Sequence, residues 1–176
     1  HVGTVKCFID KKIYIPGTSP EITEIPSFRF AAMEGEGDPN SDEFAEATGA
    51  LYSFSYAVKM SYKSKDAPSG YYDYTVFPLE GVWDLVDRTK PVEDKNNYKY
   101  TIMIRQPDFL TDELFERFIS KLKKKKPQFC FDRIRYITVT EGECCQMMHL
   151  GSYESERKSF DIMEDFCRNM GFERCE

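Results

Sequence analysis

Tyrosine is the residue whose number and spacing first suggest chemistry. Between Phe44 and Trp83 stand ten aromatic residues in forty (Phe44, Tyr52, Phe54, Tyr56, Tyr62, Tyr71, Tyr72, Tyr74, Phe77 and Trp83), against 15% aromatic residues over the 176-residue chain. Six of the ten are tyrosines. A phenol buried in a dry core must find a hydrogen-bond partner, which Leu or Phe need not. Rings with polar rims suit an aromatic cage for a flat or cationic organic molecule, each favourable cation–π contact contributing roughly 0.5–2 kcal/mol. The competing reading is packing, because half of a strand's side chains face inward whatever the protein does.

Carboxylates accompany the rings. Glu80 and Asp84 flank Trp83, Asp73 lies between tyrosines, and Glu34 and Glu36 precede the first helix. A carboxylate desolvated among rings has a raised pKa, and it pairs with a cationic ligand or serves as a general base. Asp and Glu are seldom buried, so solvation is the default for each. Glu80, on the turn between two aromatic strands, is the expected exception. His149 is the one histidine besides His1, and it lacks sulfur or carboxylate partners at zinc-ligand spacing. No metal and no cofactor are expected, and a structural role for His149 is favoured over general acid–base work. Gly35-x-Gly37 lacks the third glycine of a dinucleotide fingerprint and reads as a turn. No nucleophile-elbow serine, Walker lysine or Cys-His nucleophile pattern is present.

The elements that must position these residues follow from patterning. Glu21 to Gly35, with Ile22, Ile25, Phe28, Phe30 and Ala32, reads as a strand marked by Pro26. Glu34 to Asn40 reads as a loop, and Ser41 as the N-cap of a helix running to about Met60. That helix carries two apolar stripes: Phe44, Ala47, Leu51, Phe54 and Val58, and beside it Ala45, Gly49, Tyr52, Tyr56 and Met60. Tyr71 to Phe77 and Gly81 to Val86 read as strands, and Asp87 to Asn97 as a polar linker. A strand follows at Tyr98–Gln106, then a helix capped at Thr111 with Leu114, Phe115, Phe118, Ile119 and Leu122 on one side. Lys123 to Lys126 and Pro127 end it. Ile134–Val139 and Cys144–His149 read as a hairpin around Glu141-Gly142. A last helix from about Ser155 turns Phe160, Met163, Phe166, Cys167 and Met170 inward, with Gly171 as its C-cap.

This is strand-helix-strand-strand, twice. Ser41-Asp42-Glu43-Phe44-Ala45-Glu46 parallels Thr111-Asp112-Glu113-Leu114-Phe115-Glu116, so the expected fold is α+β, built of duplicated modules about a pseudo-twofold axis. It has an antiparallel sheet, helices on one side and a ligand cleft between the halves. Residues 1–20 read as an N-terminal extension, and 21–176 as one domain with halves of about 21–90 and 97–171.

Composition narrows the class. With 24 Lys+Arg against 30 Asp+Glu the net charge is −6, which argues against nucleic acid or anionic lipid as a partner. No apolar run is long enough to span a membrane, and His1 to Lys12 is not a secretory signal, so a cytoplasmic location is expected. The six cysteines (Cys7, Cys130, Cys144, Cys145, Cys167 and Cys175) form no C-x-x-C and read as reduced thiols packed as small hydrophobes.

The segments Gly35 to Asn40, Leu51-Tyr52 through Lys59-Met60, Gly70 to Tyr74, Pro78 to Trp83, Met103 to Phe109 and His149 to Tyr153, in that order, resemble the GyrI-like small-molecule-binding domain. The resemblance runs from about Ile22 to Phe172. It implies a pocket for aromatic or cationic drug-like molecules enclosed by two modules, and it tips the reading of the rings from packing toward binding. Tyr52, Tyr56, Tyr74, Trp83, Met103, His149 and Tyr153 are the implied ligand-binding residues. The chain resembles stand-alone members that protect against xenobiotics. Pro78–Leu85 and Met103–Phe109 resemble a subset that hydrolyses cyclopropane-bearing DNA-alkylating compounds, with Tyr74 and Glu80 as catalytic candidates here. The family also implies a pocket carboxylate on a strand after the final helix, and the sequence given ends at Glu173–Glu176 before such a strand is complete. The alternative is a protein-interaction module, for example one binding a topoisomerase, without a ligand pocket. A monomer or a homodimer is expected.

Overall fold

A computed structural model describes residues 12–64 and 67–173. Cys7, Cys175 and Glu176 lie outside the described residues. In chain order the elements are β1 (Glu21–Ile25), β2 (Phe28–Glu36), α1 (Asp42–Lys59), β3 (Leu79–Leu85), β4 (Tyr98–Arg105), α2 (Asp112–Lys125), β5 (Arg135–Val139), β6 (Gly142–Gln146) and α3 (Glu156–Met170), joined in places by single 3-10 turns. The fold is α+β with antiparallel sheets. Two compact units are formed, one from Phe28–Val139 and one from the segments on either side of it.

In the unit Phe28–Val139 the sheet order is β3-β4-β2-β5, antiparallel throughout. β2-α1-β3 and β4-α2-β5 are the two repeats. Their first strands pair centrally, and each second strand flanks the other repeat's first strand, so the order reads the same when the repeats are exchanged. Both helices lie on one face. Ala31 and Met33 of β2 and Tyr100, Ile102 and Ile104 of β4 form one core with Leu51, Phe54 and Val58 of α1 and Phe115, Ile119 and Leu122 of α2.

The helices begin where the caps predict. The Ser41 side chain accepts the Phe44 N–H at 3.2 Å and Thr111 accepts that of Leu114 at 3.3 Å, each satisfying a donor that the first helical turn leaves unpaired. The first apolar stripe of α1 is buried from Ala47 to Val58, with Phe44 half-buried. The second is less so. Gly49 lies under the Phe129 ring and Tyr52 is half-buried, but Ala45, Tyr56 and Met60 face solvent, because one sheet covers one side of a helix. The end of β4 is tied to α1 through Gln106, whose amide donates to Ser55 Oγ at 3.0 Å.

Four expectations change. The run Glu21–Gly35 is two strands, broken at Pro26, which has no N–H to give a ladder. β1 pairs with β6, whereas β2 pairs with β4 and β5. Strand β2 also continues through Gly35 to Glu36, so the loop starts at Gly37, with φ 105°. Tyr71–Phe77 forms no ladder; the segment is held by its side chains instead. Finally, β5 and β6 are not a hairpin, because each completes a different strand pair.

In the other unit β1 and β6 pair antiparallel, with Ile22 opposite Cys145, and α3 ends at Gly171 (φ 80°), whose N–H reaches the Arg168 carbonyl at 3.2 Å. Ser159 is the buried residue of α3. Contrary to expectation, Phe160 and Met170 are 40% and 58% exposed. A five-residue strand is about 17 Å long and a fifteen-residue helix about 22 Å, so the pair is too short to cover the whole stripe. Cys130, Cys144, Cys145 and Cys167 are free thiols. Among the described residues no helix is long and apolar enough to cross a membrane.

Candidate functional site

Trp83 and Tyr100 are register partners on β3 and β4, so their side chains share a face of the sheet, the helix face. The indole lies 5.9 Å from the Phe44 ring of α1, nearly parallel, 5.4 Å from Tyr100 and 6.0 Å from Tyr98. Phe44 meets Tyr100 edge-on at 5.0 Å. Two glycines make room. Gly81 precedes Trp83 by one pleat, and a Cβ there would stand 2.8 Å from the indole Nε1. Gly35 is opposite Tyr100, and a Cβ there would be 2.5 Å from the phenol carbon. Phe44, Tyr98, Tyr100 and Trp83 thus form a ring cluster set against bare backbone, in which Tyr100 is buried while Trp83 remains 45% exposed. Burial, and after it the carboxylate of Glu43, pushes the Tyr100 hydroxyl above the ordinary phenol range. Glu43 is itself paired with Arg133 at 3.3 Å.

Tyr74 belongs to a second ring group, on the segment 71–77. It lies 6.1 Å from Tyr72, 6.1 Å from Phe77 and 6.0 Å from Phe109. Tyr71 donates to the Lys59 carbonyl at 2.8 Å, and the Tyr72 hydroxyl accepts the Asp108 N–H at 3.3 Å. The Lys59 ammonium pairs with Asp73 and sits 5.3 Å from the Tyr74 ring. Burial raises the Tyr74 pKa well above that of a free tyrosine, so Tyr74 is a hydrogen-bond donor at any physiological pH. Tyr52 and Tyr56, one helical turn apart on α1, lie 6.5 Å from each other, Tyr56 mostly exposed.

Glu80 and Met103 are register partners on the opposite face of the sheet. Met103 is buried with Phe30 and Ala32, bordered by Phe28, Ile137 and Val139. On this face the Arg105 guanidinium lies 3.5 Å from the Phe28 ring centre and 4.5 Å from that of Phe77. Phe77 therefore touches both the Tyr74 group and the surroundings of Met103.

His149 and Tyr153 lie in the other unit. Tyr153 is 90% exposed. His149 Nδ1 is 2.8 Å from Ser159 Oγ, and Nε2 is 2.9 Å from the Ser152 carbonyl oxygen. A hollow of about 250 Å³ opens beside them, walled by Cys145, Met147, His149, Ser159, Phe160 and Met163 among others. Among the described residues no group of three or more His, Cys, Asp or Glu is disposed to hold a metal ion.

The residue pattern singles out Trp83 but not Tyr98 and Tyr100, which the structure packs against it. Their alternation in Tyr98-Lys99-Tyr100 showed that they share a face, but the pairing of β4 with β3 that brings them to Trp83 is not visible in a single chain. Phe109 was missed for the same reason, its partners being some thirty-five residues upstream.

The family profile described as the GyrI-like small molecule binding domain matches residues 18–176. The crystal structure of a hydrolase from Listeria innocua is similar at 34% identity and a TM-score of 0.83, over 93% of this chain and 82% of that one. An uncharacterized conserved protein from Listeria innocua is similar at 35% identity and a TM-score of 0.86, over 93% and 80%. No curated protein matches.

Proposed function

The chain belongs to the GyrI-like small-molecule-binding domain family, and on that premise we propose that it binds planar aromatic or cationic drug-like molecules and protects the cell from them. The observation that carries this reading is Trp83, held in place by Phe44, Tyr98 and Tyr100 yet 45% exposed. A pre-positioned ring loses little freedom when a flat ligand stacks on it, so most of the stacking energy appears as affinity. Cationic ligands gain further from the ring faces.

Trp83 is the one tryptophan, so its emission reports on its own surroundings. Titration with acridine orange and with naphthylmethylamine is expected to shift or quench that emission. By calorimetry, Trp83→Ala should weaken binding about 5- to 30-fold, corresponding to about 1–2 kcal/mol. Unchanged emission and no heat across a broad panel of aromatics would overturn the reading and favour a protein-interaction module instead.

A second reading, hydrolysis of the bound molecule, is favoured by the similarity to a hydrolase of known structure. For a cyclopropane-bearing alkylator, Tyr74 is suited to donate to the carbonyl conjugated with the strained ring, whereas Glu80 stands on the face of β3 opposite Trp83 and does not reach a molecule stacked on the indole. Mass spectrometry would find the ligand heavier by one water, with the rate lowered in Tyr74→Phe. Recovery of unchanged ligand after prolonged incubation leaves sequestration alone.

A further inference from the structure

The hollow beside His149 has parts that small-molecule binding elsewhere in the chain does not use. The Ser152 carbonyl oxygen can only accept a hydrogen bond, so at 2.9 Å it fixes the proton of the neutral imidazole on Nε2. Nδ1 then carries the lone pair, and Ser159 Oγ, 2.8 Å away, must donate to it. The loop is shaped around this arrangement. Gly151 has φ 141°, and a Cβ there would come within 2.6 Å of Ser155 Oγ and 3.4 Å of His149 Nε2. Ser155 Oγ lies 3.2 Å from the same Nε2 and donates to the Ser152 carbonyl at 2.8 Å. The imidazole is therefore held in one tautomer and one orientation, with its basic nitrogen on a serine hydroxyl.

A hydroxyl hydrogen-bonded to a base that is oriented by a third group is the arrangement of an activated nucleophile. Here a backbone carbonyl takes the orienting place that a carboxylate often holds. Ser159 and His149 both border the hollow, whose lining also includes the apolar side chains of Met147, Phe160 and Met163. Its volume of about 250 Å³ suits a small acyl or aryl group. Glu156 also borders the hollow and adds a negative charge to the surroundings in which an imidazolium would form.

We propose that Ser159 and His149 form a nucleophile–base pair that hydrolyses small, apolar carboxylic esters in this hollow. Ser159 Oγ bonds to the ester carbonyl carbon while its proton passes to His149 Nδ1. The tetrahedral adduct collapses, the alkoxide takes that proton from Nδ1, and the alcohol leaves. Water then adds to the acyl-serine, giving one proton to Nδ1, which returns it to Ser159 Oγ as the carboxylic acid departs. The inference goes beyond the aromatic-ligand reading and does not depend on it.

The test uses the whole chain and a biotinylated fluorophosphonate, which forms a serine–phosphorus bond with loss of fluoride. Peptide mass spectrometry is expected to find the adduct on Ser159, forming about 100-fold faster than on Ser152 or Ser155 of the same protein. His149→Asn should lower that rate by about 100-fold. With p-nitrophenyl acetate, wild type should give a nitrophenol burst of about one equivalent, as an acyl-enzyme that deacylates slowly requires, and Ser159→Ala should give none. The two measurements are independent, so failure of one variant to fold leaves the other decisive. Labelling of Ser159 no faster than of Ser152 and Ser155, labelling undiminished in His149→Asn, or a burst that survives in Ser159→Ala overturns the proposal.

Discussion

Replacing Gly35 with alanine places a methyl group where the Tyr100 ring already is. The new Cβ would lie 2.5 Å from Cζ and from the hydroxyl oxygen and 2.6 Å from Cε2, about 1 Å inside van der Waals contact. Tyr100 cannot swing away, being buried with Phe44 at 5.0 Å and Trp83 at 5.4 Å. Overpacking of this kind costs about 1–3 kcal/mol. Against it stands a gain of about 0.5–1 kcal/mol, because alanine orders more cheaply than glycine in a strand. The net expectation is a loss centred on about 1 kcal/mol and reaching at most about 2.5 kcal/mol, seen as a urea midpoint lowered by roughly 0.5–1 M. The sign is informative, since a glycine kept for no steric reason would give a gain. In a Tyr100→Leu background the clash is gone and Gly35→Ala should be neutral or stabilising, so the double-mutant cycle should return a coupling above about 1 kcal/mol. Trp83 emission should also shift in the single variant as the ring cluster is displaced. An alanine that stabilises the wild-type background, or that costs the same in both backgrounds, refutes the account of why β2 is bare beneath the rings.

Ser41→Ala and Thr111→Ala should each cost about 1 kcal/mol by urea denaturation through loss of the cap on α1 or α2, whereas Ser41→Asp should be nearly neutral. Burial raises the Tyr74 pKa and pushes that of Tyr136 up to about 12. Both phenols hold their protons more tightly folded than unfolded, so the stability they contribute is intact below about pH 10 and is lost as the pH rises through the folded values. Denaturation followed from pH 9 to 12 should show that decline, and Tyr74→Phe should flatten it. An identical slope in the variant would mean that Tyr74 is not the titrating group.

What the sequence reveals and what it hides divide along the range of the interactions. Helices α1 and α2 were legible because Ser41 and Thr111 cap them and their apolar residues recur within a few positions. Gly171 marked the end of α3 for the same local reason. Tyr71–Phe77 misled because strand propensity reflects a fit to a pleated, half-buried surface rather than an intrinsic backbone preference, and here the rings pack on Phe109. The segment follows its tyrosines instead, one to the Lys59 carbonyl and one to the Asp108 N–H. Pro26 by itself reads as the start or an edge of a single strand; that the two sides of it join different sheets depends on β4, β5 and β6 far along the chain. At the candidate site Trp83 was visible by its type and its tyrosine-rich neighbourhood. Its actual companions Tyr98 and Tyr100 arrive through strand register, and the tautomer of His149 is set by a carbonyl that no residue-type pattern records.

The exchanged order of the four strands bears on how the molecule can come into being. β3 completes the edge of the second repeat and β5 that of the first, so neither repeat, cut out alone, holds the sheet neighbours it has in the whole. The pair behaves like two swapped protomers joined by a leash. The Asp87–Asn97 linker supplies the proximity that separate chains would have to find by concentration. The β2–β5 pairing, with more than a hundred residues between partners, must wait until that long loop has closed. Severing the leash should turn a unimolecular folding reaction into an association, with the two halves complementing each other in a concentration-dependent way.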